Sequence, residues 1–280
     1  MNDIAFQFVE RLSAELSSGN LKLPAFPDVA VRVKQALEGD DVSADKVAKV
    51  VGSDPVLSAR LLKVANSNFA NRSGAMIKDL RTAIARLGYD LAYSTAVSLA
   101  VEQILQSKSV GDLRDHLKVL WKHSVHVSAI AYVIAKKHSK INPDEAMLAG
   151  LLHDIGKFYI LTRTKDHPEL FSDPQALDEL IANWHTGIGQ AILEAWGFSE
   201  DITNTANEHD DLERPRVGLP DVIDVVITAN LCAYWEKLGD DFDWPGVTAA
   251  QRLKLDHDAI QEILKASNEE IQLIMQALGN

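Results

Sequence analysis

The chain has a single cysteine in 280 residues, Cys232, so no internal disulfide can form and a reducing compartment, the cytoplasm, is the expected setting. Cys232 lies inside an apolar segment and reads as a small buried side chain. No apolar run approaches the ~18 residues of a membrane span. The opening Met-Asn-Asp-Ile-Ala-Phe lacks a basic segment leading into an apolar one, so no secretory leader is expected. Strict alternation of apolar and polar residues is missing over any useful length, which leaves no segment to read as a strand. Internal repeats and low-complexity stretches are absent as well. Positive charge is short too: the net charge of −12 argues against general nucleic-acid binding.

The charge is unevenly spread. Residues 1–110 carry about 13 basic and 12 acidic side chains, so the acidic excess lies beyond them. Arg60, Lys63, Arg72, Lys78, Arg81 and Arg86 form a basic series interrupted by Asp79. It reads as a solvated helix face or as a dock for an acidic partner or a phosphate, with Asn66 beside it. The rest is helical in pattern, and an all-α fold is expected. Helix starts are explicit at Asp54-Pro55, Asn142-Pro143, Asp173-Pro174 and Leu219-Pro220-Asp221, where a capping side chain precedes or follows a proline. Ser267-Asn-Glu-Glu270 has the spacing of a capping box. Gly88, Gly156, Gly197 and Gly239 read as helix stops. The periodicity breaks over Ser107–Asp112, which predicts two helical modules, residues 1–107 and 112–280.

Chemistry concentrates in the second module. The octet Gly150-Leu-Leu-His-Asp-Ile-Gly-Lys157 puts an imidazole and a carboxylate next to each other at the end of an apolar helix, a pair able to share one divalent ion. An acid at a helix C-terminus opposes the helix dipole, so Asp154 needs a compensating partner. His123 lies one turn before Val127, with His126 as its neighbouring alternative. His185 continues the stripe Ile181, Ile188 and Ile192, and His209 ends the helix from Glu200. Asn230 continues Ile223, Val226, Ile227 and Tyr234. Any one of these alone reads as a satisfied core residue. Several helices each bringing a metal-competent side chain to an apolar face is how a bundle builds an interior site. Lys157 is placed to contact a phosphate or to protonate a leaving oxygen. A dry hydrogen-bonded network among the same residues is the alternative, with no ion at all.

The second module resembles the HD superfamily of metal-dependent phosphohydrolases. Within it the likeness is to the HDOD domain, a degenerate relative of the HD-GYP cyclic-di-GMP phosphodiesterases. The first module carries the same likeness through Leu23-Pro-Ala-Phe-Pro27, Ser53-Asp-Pro-Val-Leu57, Leu61-Leu-Lys-Val-Ala-Asn-Ser67 and Thr82-Ala-Ile84 through Leu87-Gly88. Trp121-Lys-His-Ser, the octet and Trp196 continue it in order, over about residues 20–235. The resemblance implies an HD-like bundle for residues 112–280. It maps the metal ligands to His123, His153, Asp154, His185 and His209. Its final aspartate is Asn230 here, a second histidine that often follows the last is Asp210, and the Gly-Tyr-Pro element is missing.

Two functions follow as expectations. One is a stand-alone bacterial signalling or regulatory protein without catalysis, binding a signalling partner or a small phosphorylated ligand through Arg60, Lys63, Asn66, Arg72 and Arg81. The other is a metal-dependent phosphohydrolase acting on a nucleotide or phosphoester, with Asp210 or Glu208 compensating for Asn230. The cofactor is either none or a divalent ion, with manganese, iron, magnesium, nickel and zinc left undistinguished. Neither a membrane nor nucleic acid is an expected partner; an oligomer is open.

Overall fold

The computed structural model describes residues 8, 10–11, 14–15, 28–38, 41–71, 74–106, 113–163, 173–238 and 242–279. The opening block Leu23–Pro27, Arg72, the break at Ser107–Asp112 and Gly239 lie outside the described residues. Every α-helix or strand among the described residues is a helix, so the fold class is all-α as expected. None of those helices is long and apolar enough to cross a membrane.

The first half contains α1 (Asp28–Leu37), α2 (Ala44–Val51), α3 (Pro55–Ala65), α4 (Leu80–Leu87) and α5 (Tyr89–Gln106). Local chemistry sets α3: Asp54 caps it through hydrogen bonds from Val56 N at 2.8 Å and Leu57 N at 2.9 Å, and Pro55 takes the first turn. Its buried stripe is Leu57, Leu61, Val64 and Ala65. Gly88, with φ of 80°, ends α4 in a backbone region that favours glycine.

The second half contains α6 (Arg114–His138), α7 (Pro143–Leu152), α8 (Ile155–Arg163), α9 (Pro174–Ala195), α10 (Glu200–Glu208) and α11 (Val222–Ala233). The short α12 (Trp235–Leu238), α13 (Thr248–Leu253), α14 (His257–Ala266) and α15 (Asn268–Leu278) follow. Helix α6 is the central strut, with α7, α11 and α15 packed along it. Helix α9 carries α8 and α10. Helix α15 also reaches α3 and α5, and α5 reaches α7, so one apolar core runs through both halves. The segment beyond Trp244 therefore packs on the core. Cys232 is buried in it, and burial pushes its thiol pKa up.

Two sequence expectations need correction. His153 and Asp154 do not occupy the last turn of a helix ending at Gly156. They fill a break between α7 and α8, and Gly156 lies inside α8. Helix α6 starts at Arg114, so His123 sits well inside it. Ser267 precedes α15 but its side chain makes no capping bond; its hydroxyl instead accepts from Lys137 Nζ at 2.7 Å, a contact to α6. Asp221 gives the complete capping box, exchanging bonds with Asp224 at the start of α11.

Candidate metal centre

The octet is held at both ends by close backbone packing. A Cβ on Gly150 would lie 3.0 Å from Ser128 Cα on α6, and one on Gly156 would lie 1.9 Å from the His185 carbonyl oxygen on α9. The two glycines let α7 approach α6 and α8 approach α9, and the His153–Asp154 break lies between those crossings. Asp154 thus faces the histidines of three other helices or their ends. His123 comes from α6, His185 from α9 and His209 from the C-terminal end of α10. His153, Asp154, His185 and His209 are between 0% and 2% exposed, so bulk solvent does not reach them.

Asp154 is the shared member of two overlapping groups, one with His123 and His153 and the other with His185 and His209. On the first side Oδ2 lies 3.4 Å from His153 Nε2 and 3.8 Å from His123 Nε2. On the second, Oδ1 lies 3.2 Å from His209 Nε2 and 3.8 Å from His185 Nε2. Lys157, one turn on in α8, brings Nζ to 3.0 Å from Oδ2. Asn230 on α11 places Oδ1 3.0 Å from His123 Nε2, and Tyr234 stacks on the His123 ring at 4.7 Å. Both belong to the apolar stripe of α11, so the helical spacing of Asn230 and Tyr234 was the signal for the second.

Asp210 is the residue whose part in the site the spacing alone did not settle. Its Oδ2 is 3.1 Å from His185 Nε2 and its Oδ1 is 3.5 Å from His209 Nε2. Asn230 Nδ2 donates to it at 3.5 Å. Glu208, the other compensating carboxylate considered, turns away to pair with Arg214.

The protonation pattern follows from the partners. Burial pushes His153 down to about 3 and also lowers His123, so both rings are neutral at pH 7. Burial opposes the charge on Asp154, and the Lys157 ammonium and the contact with His209 outweigh it, holding the carboxylate well below its usual range. Burial likewise opposes the charge on Asp210, and the contacts with His185, His209 and Lys157 overcome it, so Asp210 too is held low. Lys157 is held above its ordinary value because Asp154 outweighs the cost of burying the ammonium.

These donors fit a divalent ion. His153, His185 and His209 each place Nδ1 on a backbone carbonyl, Gly150 O at 2.7 Å, Ile181 O at 2.7 Å and Ala206 O at 3.0 Å. A carbonyl only accepts, so each ring carries a proton on Nδ1, and in the neutral His153 the Nε2 lone pair points inward, the arrangement of a metal-binding histidine. His153 Nε2 has no hydrogen-bond partner despite full burial. Imidazole with carboxylate suits a first-row transition metal.

The residues proposed for an anionic ligand are used differently. Arg60 pairs with Glu102 and donates to Leu278 O, and Asn66 donates to Leu62 O and Ile77 O while accepting from Ile77 N. Both are committed to the fold, which corrects their reading as ligand contacts. Lys63 is exposed, and Arg81 pairs with Asp45 at 3.1 Å.

A family model for the HDOD domain matches residues 23–212. The chain belongs to the HDOD domain family. Two solved structures are similar to this HDOD chain over nearly all of both molecules. One, from Shewanella amazonensis SB2B, is assigned provisionally as a metal-dependent phosphohydrolase; it is 29% identical, has a TM-score of 0.78, and the match covers 99% of this chain and 100% of that one. The other is an HDOD domain protein with unknown function from Geobacter sulfurreducens, 26% identical, with a TM-score of 0.72 and coverage of 98% and 100%. Ribonuclease Y of Fervidobacterium nodosum is 34% identical over 93 residues, covering 33% of this chain and 14% of that protein.

Proposed function

We propose that this HDOD chain is a regulatory signalling protein that binds a protein partner or a small phosphorylated ligand and does not turn over a substrate. The observation that carries this reading is the amide of Asn230. The resemblance puts a carboxylate at this position; here a neutral side chain bonds His123 on one side and Asp210 on the other. An open coordination position is what metal-assisted hydrolysis requires, and this one is filled by an internal hydrogen bond. Burial of the four inner residues supports the same reading, since a phosphoester needs to reach the ion. A cavity of about 610 Å³ between Val119, Leu120, Leu161, Leu177 and Ile181 meets the centre at Lys157 and not at the histidines.

The second reading, a phosphohydrolase, is favoured by Lys157 beside Asp154 and by the inward lone pair of His153. A divalent ion would supply charge stabilisation at phosphorus and a water of lowered pKa. Lys157 would then hold the phosphate, and Asp154 would be kept anionic by its neighbours. The test is turnover. Protein incubated in turn with manganese, iron, nickel and magnesium is assayed against cyclic dinucleotides, nucleotides and an aryl phosphodiester. Rates at the protein-free background are expected. Metal-dependent release of phosphate or nucleoside monophosphate that vanishes in Asp154→Ala overturns the regulatory reading.

A further inference from the structure

Away from the centre, three helix starts meet at the joint between the two halves: α5 from the first half, and α7 and α10 from the second. They border a cavity of about 310 Å³ that shares no residue with the groups around Asp154. Asp90, Asp144 and Glu145 line it. Each stands in the first turn of its helix, as does Asp201 of α10, which acts on Glu145. A helix N-terminus favours one anion, but this joint gathers four carboxylates. Burial, reinforced by Asp90, raises the Asp144 carboxyl to about 6, and burial with Asp201 and Asp90 raises that of Glu145. Lys136, the cation that acts on Asp144, is paired with Glu270 at 2.6 Å.

Two hydroxyls in the same lining point independently to a ligand. Ser94 is 1% exposed, and its Oγ has no hydrogen-bond partner. The hydroxyl of Tyr93 is buried without a partner as well. A buried hydroxyl left unpaired costs the fold free energy, and each of these can accept a hydrogen bond. The complement of such a surface is a positive charge that carries several N–H donors. A metal ion fits less well, because among the described residues only the groups around Asp154 bring three ligand atoms within 4.8 Å of one another. Leu148 and Ile202 supply apolar wall, which suits an organic body over a hydrated ion. The volume lies at the lower end of ligand pockets, so the occupant is small.

We propose that this cavity binds a small organic cation bearing primary ammonium or guanidinium groups, its charge held by Asp90, Asp144 and Glu145 and its N–H donors shared with the hydroxyls of Ser94 and Tyr93. The ligand bridges α5 of one half and α7 and α10 of the other, so occupancy ties the halves together. It requires neither an ion nor turnover at Asp154, and binding here is independent of both.

The experiment is calorimetric titration of the full chain at pH 7.5 with agmatine, which carries a guanidinium and an ammonium, and with putrescine, a diamine. Tetramethylammonium, a cation without N–H groups, and magnesium are the comparisons. One molecule of agmatine or putrescine per chain is expected to bind. Asp144→Asn is expected to weaken binding by about 10–100-fold, the loss of a charge-assisted hydrogen bond, while the free variant stays folded. Ser94→Ala is expected to weaken it by about 2–10-fold with no loss of melting temperature, since its hydroxyl has no partner to lose. Neither amine bound at millimolar concentration, equal binding of tetramethylammonium or magnesium, or unchanged affinity in either variant overturns the proposal.

Discussion

At Gly156 the carbonyl oxygen of His185 occupies the space a Cβ would need, and Gly189 N lies 2.8 Å from the same point. The backbone of α8 therefore rests directly on α9, and the position of His185 relative to Asp154 depends on that contact. Gly156→Ala must push the helices apart. It is expected to lower stability by about 3 kcal/mol in urea denaturation. An unchanged urea midpoint would show that the helices have room to part. The histidines were legible in the sequence because each continues an apolar stripe, as His185 does with Ile181 and Ile188. Asp210 was less so. It follows the end of α10, and the direction of a side chain past a helix end is set by what packs there and not by helical period.

Helix α7 shows how an element can be well specified locally and still carry a cost. Asn142 caps it by accepting from Asp144 N at 3.0 Å, and Pro143 occupies its first turn. Its glycine at position 150 and its small residues let it lie close on α6. Yet burial, reinforced by Asp90, pushes the Asp144 carboxyl up to about 6. Below its ordinary value of 3.8 the group is protonated in both folded and unfolded chains, and the folded environment suits the neutral form. As pH rises to about 6 and beyond, the unfolded chain ionises first and that contribution is lost. Asp144→Asn is therefore expected to raise the melting temperature at pH 7.5 and to give no gain at pH 4. Equal shifts at both pH values would mean that the charge is not the cause.

Across the whole molecule, the last helix ties the two halves together. The carbonyl of Leu278 accepts from Arg60 at 3.2 Å and from Ser98 at 2.7 Å, and Arg60 also pairs with Glu102 at low exposure. Removing one member of such a pair leaves the other charge poorly compensated. Arg60→Ala is expected to cost about 3 kcal/mol or more, with Glu102→Ala similar. The double variant should cost less than the sum of the two. Additive losses, read from urea midpoints, would mean that the two residues act separately. In the sequence Arg60 looked like part of a basic surface because its partners lie 42 and 218 residues away.

The sequence by itself determined the helical class and most of the boundaries. Caps such as Asp54, Asn142 and Asp221 act within a turn or so of their own position, so the information is local. It also supplied the candidate ligands, through residue type on apolar stripes. Tertiary structure alone decided which of them meet, and which imidazole nitrogen keeps its lone pair. It placed Asp210 in the centre in place of Glu208, and it made Arg60 an internal tie. Each of these depends on contacts between helices distant in sequence, where a direction or a hydrogen-bond partner is fixed only once the helices have packed.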